Sequence, residues 1–128
     1  MKDLISEYGL KKLSDGVNLG FEKESLRVTN SKISKSHHPE SLGSSACNQF
    51  ITIDFSEAQL ELITPPLEGN EASLYALDDI HHYVTKNIQD EILWPFSIPP
   101  SSISENDILI GRFGSSHEGM FKHIYRKG

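Results

Sequence analysis

At 128 residues, with a formal net charge of −6, a pI near 5.4 and 37% apolar residues, the chain has the size of one ordinary domain and no more. The acidic balance and the lack of a basic run argue against a grip on nucleic-acid phosphates, and no stretch is long and apolar enough to span a membrane. Cys47 is the only cysteine, which excludes an internal disulfide and the cysteine-rich zinc frameworks. Acids and lysines interrupt the first residues, so they do not read as a secretory signal, and the chain is expected to be cytoplasmic.

Leu4, Ile5 and Tyr8 stand at helical spacing within residues 3–12, and Ser14-Asp15-Gly16 supplies turn chemistry, which predicts a short helix there. Gly20 to Val28 (GFEKESLRV) reads as a strand with Phe21, Lys23 and Ser25 on one side and Glu22, Glu24 and Leu26 on the other. Thr29 to Asn48, rich in Ser, His, Lys and Gly, reads as a long loop holding at most a brief strand. Thr52 to Phe55 is expected to end a second strand, with Ser56-Glu57-Ala58 turning into a third. That third strand carries Gln59, Glu61 and Ile63 on one face and Leu60, Leu62 and Thr64 on the other. Asp54 and Glu61 are seven apart, so they lie on opposite faces of a continuous strand and converge only if the chain bends between them.

A long helix is predicted from about Glu71 to Ile92, where Leu74, Leu77, Ile80 or His81, Val84 and Ile88 recur three or four apart. Asn70 suits its N-cap, and Trp94-Pro95 suits its end. Pro99-Pro100 opens a Ser-rich connector. Met120, Phe121, Ile124 and Tyr125 then begin a second amphipathic stripe.

Carboxylates inside otherwise apolar, strand-like stretches are the chemical signal. On spacing alone Glu22, Glu24, Glu57 and Glu61 fit the wet face of a half-exposed antiparallel sheet, which is a common arrangement. They also fit oxygen ligands for a hard cation, Mg²⁺ or Mn²⁺, with phosphoryl transfer as the natural chemistry. The other motifs are weaker. Gly114 to Gly119 lacks the Lys-Ser or Lys-Thr of a P-loop, His37-His38 and His81-His82 are adjacent pairs whose side chains diverge, and Cys47 has no neighbouring base.

Four blocks, in order and at familiar spacing, resemble the proteobacterial type of glutamate–cysteine ligase, or γ-glutamylcysteine synthetase. They are GFEKESLRV at 20–28, HPESLGSS at 38–45, ITIDFSEAQLELITP at 51–65, and DEILWPFSIP at 90–99 followed by the glycine-bounded run ending in GMFKHIYRKG. The resemblance implies an enzyme that uses ATP and magnesium to phosphorylate the γ-carboxylate of L-glutamate. The amino group of L-cysteine then displaces phosphate in the first step of glutathione synthesis. It assigns Glu22, Glu24, Asp54 and Glu61 to metal binding and places Phe55 and Tyr125 at the cysteine pocket. Arg126 becomes the catalytic cation, meeting a substrate carboxylate or a phosphate.

The fold implied is α+β: part of the antiparallel sheet of a glutamine-synthetase-like ligase, covered by the helix at about 71–92. Family chains are several times longer, so residues 1–128 are expected to form one incomplete domain, the N-terminal segment of the catalytic domain. The missing C-terminal part of the ligase, as a separate chain, would then be its partner. The alternatives are a non-catalytic metal-binding or interaction module and an inactive remnant. A bare fragment is expected to expose Leu60, Leu62 and Phe121.

Overall fold

A computed structural model describes residues 16–98, 100 and 104–128. The short helix expected over 3–12 lies outside these residues. In chain order the strands are β1 (Asn18–Leu19), β2 (Glu22–Thr29), β3 (Lys32–Ile33), β4 (Ile51–Ile53), β5 (Gln59–Ile63), β6 (Leu67–Glu68) and β7 (Ile92–Leu93). Helix α1 (Asn70–Asn87) lies between β6 and β7, and α2 (His117–Lys127) ends the chain. All pairings are antiparallel, and the main sheet has five strands with β2 as its hub. Strand β5 pairs with the first half of β2, while β3 and β7 pair with its second half. The α+β expectation holds.

Register decides what each face carries. Lys23, Ser25 and Arg27 share a side with Leu62 and Leu60 of β5 and with Ile51 and Ile53 of β4, since Ile51 stands opposite Leu62 and Ile53 opposite Leu60. This is the side that α1 covers: Val84 and Ile88 join Leu42, Ile51, Ile53, Leu60, Leu62 and Phe113 in one buried core, with Leu77 and Ile80 packed against it. Leu60 and Leu62 are therefore fully buried rather than exposed, because the chain's own helix covers them. Only Phe121 of that expected trio is open to solvent.

Helix α1 departs from expectation at both ends. It stops at Asn87, not near Ile92: the N–H of Ile88 still bonds to the Val84 carbonyl, but Gln89 takes a left-handed conformation (φ 55°) that turns the chain out. Trp94-Pro95 comes after β7 and plays no part in stopping the helix. At the start the cap is Gly69, whose φ of 83° favours glycine, and Asn70 is the first helical residue. The buried stripe runs through Ser73 rather than Leu74. The Ser73 hydroxyl reaches the Leu19 carbonyl at 2.6 Å and ties α1 to β1, while Leu74 is exposed.

The long loop contains β3 and a single 3₁₀ turn (Glu40–Leu42) that drops Leu42 into the core. It is held from beneath by Arg27, which is fully buried and pairs with Glu91 at 2.6 Å. The same guanidinium donates to the carbonyls of Ser36, His37 and Glu57. Glu91 also accepts from the Ser34 hydroxyl. One ion pair thus ties β2, the loop and the segment after α1 together.

Candidate functional site

The face of the main sheet opposite α1 carries the acids. Glu24 of β2 stands directly across from Glu61 of β5, which stands across from Thr52 of β4. Glu22 lies one pleat along β2, on the same side as Glu24. Asp54 follows β4, and its N–H bonds to the Gln59 carbonyl, which continues the ladder and places its side chain on the face of Glu61. The bend between Asp54 and Glu61 is the reversal at Ser56-Glu57-Ala58, so residues seven apart in sequence become near neighbours.

The electrostatics register this convergence. The Glu61 carboxyl is raised above the ordinary range, first by partial burial and then by the charges of Glu22, Asp54 and Glu24, with Arg126 pulling the other way. Among the described residues, however, no three His, Cys, Asp or Glu side chains are gathered closely enough to hold a metal ion. The four acids form an open row rather than a closed cage. Oxygen donors on such a row suit a cation that binds one or two carboxylates and keeps several waters.

Arg126 reaches the row from far along the chain. Residues 109–113 line the β4–β5 turn: the Glu57 N–H bonds to the Leu109 carbonyl at 2.8 Å and the Gly111 N–H to the Phe55 carbonyl at 2.9 Å. Gly111 packs closely there: a Cβ would sit 3.0 Å from the Ile53 side chain and 3.2 Å from the Asp54 carbonyl, so a larger residue would require its neighbours to give way. Phe113, itself left-handed at φ 53°, is buried and forms the seat of α2. Gly119 packs on the Phe113 backbone where any side chain would overlap it, and His123 meets the Gly111 carbonyl at 2.9 Å. The Arg126 guanidinium stacks over the Phe113 ring at 4.7 Å and donates to Asp54 at 3.3 Å.

The two aromatic candidates stand nearby but open. Phe55 is exposed in the turn beside Asp54, and Tyr125 is 88% exposed on α2. Met120, Phe121 and Ile124 leave an apolar stripe of the same helix exposed with it. Cys47 is exposed.

Three residues take roles that spacing does not reveal. Glu57, expected on the wet face if it joined the other acids, is instead only 2% exposed and away from them. Its carboxylate accepts from the backbone N–H of His38 at 3.1 Å and of Arg112 at 2.8 Å, so it closes the corner of the sheet instead of lining it. His38 beside it has both ring nitrogens buried without a partner, and burial, with the Arg27 charge adding to it, lowers its pKa. Gln59 donates from its side-chain amide to Glu24 at 2.6 Å. Its place on the acid face was legible in the strand alternation; its bond was not.

A family model described as glutamate-cysteine ligase matches residues 2–128. The chain belongs to the glutamate–cysteine ligase family. It is 44% identical over 115 residues to the ligase of Edwardsiella ictaluri, covering 89% of this chain and 22% of that one. To the ligase of Pseudoalteromonas translucida it is 41% identical over 127 residues, covering 98% and 24% respectively. Among solved structures it resembles the glutamate–cysteine ligase of Francisella tularensis in complex with AMP, with a TM-score of 0.82 and 40% identity over 89% of this chain. It also resembles a bifunctional glutathione synthetase from Pasteurella multocida, with a TM-score of 0.71 and 36% identity. The chain spans about 22–24% of the length of the curated ligases it matches.

Proposed function

We propose that this chain supplies one wall of the catalytic centre of an ATP-dependent ligase that joins the γ-carboxylate of L-glutamate to the amino group of L-cysteine. The observation that carries this reading is the row of Glu22, Glu24, Asp54 and Glu61 on the open face, with the Glu61 carboxyl pushed up by partial burial and then by the charges of its neighbours. Like charges held together in this way lower the cost of accepting a cation, and the family's reaction needs one to neutralise phosphate oxygens.

Glu61 and Asp54, with Glu22 and Glu24 beside them, would hold Mg²⁺ or Mn²⁺, which when bound would offset the charge of the transferring phosphoryl group. Arg126, fixed by Phe113, has one nitrogen on Asp54 and another, Nη1, buried without a partner. The permanent charge of the guanidinium would meet a carboxylate or phosphate oxygen of the substrate. Phe55 and Tyr125 would form part of the cysteine pocket. L-glutamate, L-cysteine and ATP are the substrates of this reading, the rest of a ligase chain is the partner, and the cytoplasm is the compartment. Among the described residues no helix is long and apolar enough to cross a membrane.

The test is a chimera in which this segment replaces its counterpart in the Pseudoalteromonas ligase. γ-Glutamylcysteine formation by the chimera, lost on Glu61→Gln with the fold intact by circular dichroism, is the expected result. Unchanged turnover in the variant would refute the metal assignment. A second reading, a self-standing metal-binding module, is favoured by one observation: α1 covers Leu60 and Leu62 without help from another chain. That reading expects divalent-ion binding by the 128-residue chain and no turnover in the chimera.

A further inference from the structure

Glu57 is the acid that the carboxylate row leaves out. Its side chain is buried in the corner of the sheet, and a buried carboxylate is costly unless donors surround it. Two backbone N–H groups meet it, that of His38 at Oε2 (3.1 Å) and that of Arg112 at Oε1 (2.8 Å), while the ring of His37, itself exposed, stands 3.7 Å off. Its own peptide groups are held as firmly. The Glu57 N–H donates to the Leu109 carbonyl at 2.8 Å, and the Glu57 carbonyl accepts from the Arg27 guanidinium at 2.8 Å. One residue therefore ties β2, the long loop and the 109–113 strip to each other.

The arm that runs through Arg112 leads back to the carboxylate row. The Arg112 side chain is exposed, so what fixes this residue is the N–H that Glu57 accepts. The next residue, Phe113, takes the left-handed conformation (φ 53°), which a bulky residue holds only where its surroundings impose it. Glu57 fixes the residue before Phe113, and Gly119 of α2 packs against its carbonyl on the other side. The ring between them carries the Arg126 guanidinium at 4.7 Å, which reaches Asp54 at 3.3 Å.

We infer that Glu57 is a positioning residue for the catalytic face: by holding Arg112 it sets where Phe113, and with it Arg126, stands against Asp54. The inference deepens the ligase reading above and rests on it only for the substrate that Arg126 would meet. A carboxylate suits this corner because both of its oxygens accept and two N–H groups must be met, whereas an amide would turn a donor toward one of them.

NMR of the 128-residue chain tests the coupling. The Arg126 side chain lies over the Phe113 ring, so its protons should resonate upfield of those of an exposed arginine. Arg112→Pro removes the N–H that Glu57 accepts, at a residue whose side chain is exposed and whose φ is not left-handed. Glu57→Met removes the acceptor itself with little change of volume. Each should abolish the upfield shift while the methyl signals of Leu60 and Leu62 stay in place. Ser34→Ala, which loosens the same loop at Glu91 without touching Glu57, should leave the shift intact. Either of the first two variants, folded and with the Arg126 shift retained, would overturn the inference, as would an equal loss of the shift in Ser34→Ala. In the chimera with the Pseudoalteromonas ligase, Arg112→Pro should change KM and kcat in the same sense as Arg126→Met and add no further loss to it, because the two act through one side chain. A further loss in the double variant would also overturn the inference. An unaltered chimera without turnover would refute the ligase reading alone, and the Arg126 signals would still decide the role of Glu57.

Discussion

Replacing Glu61 by Gln should make the isolated chain more stable at neutral pH and less responsive to divalent ions. Glu61 faces Glu24 directly across the β2–β5 pair, and its carboxyl is raised by burial and by Glu22, Asp54 and Glu24. Like charges opposed on a sheet are destabilising by about 0.2–1 kcal/mol. At this chain length that corresponds to about 1–4 °C in melting temperature. The sign follows from linkage. A carboxyl whose folded pKa lies above its unfolded value favours the fold while protonated, and that contribution is lost as pH rises through the folded pKa. The gap between variant and parent should therefore be absent at pH values where Glu61 is protonated in both the folded and the unfolded parent, open above the ordinary Glu range near pH 4.3, and be fully present at pH 7. Thermal melts at several pH values, with and without Mn²⁺, read both effects. Mn²⁺ should raise the parent's melting temperature, by about 2.7 kcal/mol of stabilisation at a hundred times its dissociation constant, and raise the variant's much less. A variant that melts lower than the parent at pH 7, or that gains as much from Mn²⁺, would refute the reasoning.

Arg27→Met should cost about 3–5 kcal/mol, because it strands Glu91 and removes the donors that hold the loop carbonyls; urea unfolding should show a lower midpoint with an unchanged slope. Gly119→Ala should lift α2 from Phe113 and withdraw Arg126 from Asp54. Since Arg126 lowers the Glu61 carboxyl, Glu61 should then titrate at higher pH by carbon-detected NMR, and an unmoved titration would count against the docking. His38 has a folded pKa below its unfolded value near 6.5, so its contribution to stability is present above that pH and lost as pH falls through the folded value. His38→Gln should flatten the loss of melting temperature in that window. An equally steep loss in the variant would assign the acid sensitivity elsewhere.

The strands and the acid face were legible because a period of two leaves little freedom: once GFEKES and QLELI are strands, Glu22 and Glu24 must share a side and Leu60 and Leu62 the other. Pairing adds what no single segment contains. Asp54 meets Glu61 because the turn reverses the chain, and the register then places Glu61 opposite Glu24. The end of α1 was misread because Ile88 continues the apolar period one residue past the last helical turn and still buries its side chain, so the hydrophobic stripe outlasts the helix. Glu57 was illegible for a different reason. An acid in a turn reads as solvated, and its burial depends on backbone donors at His38 and Arg112 that lie 19 and 55 residues away.

Arg126 and Asp54 are 72 residues apart. The countercharge of the row is therefore coupled to packing at a distance: Arg126 stays on Asp54 while Phe113 is held in the core and residues 109–111 lie along the β4–β5 turn. Loosening that strip would withdraw the arginine and leave the carboxylates to solvent cations.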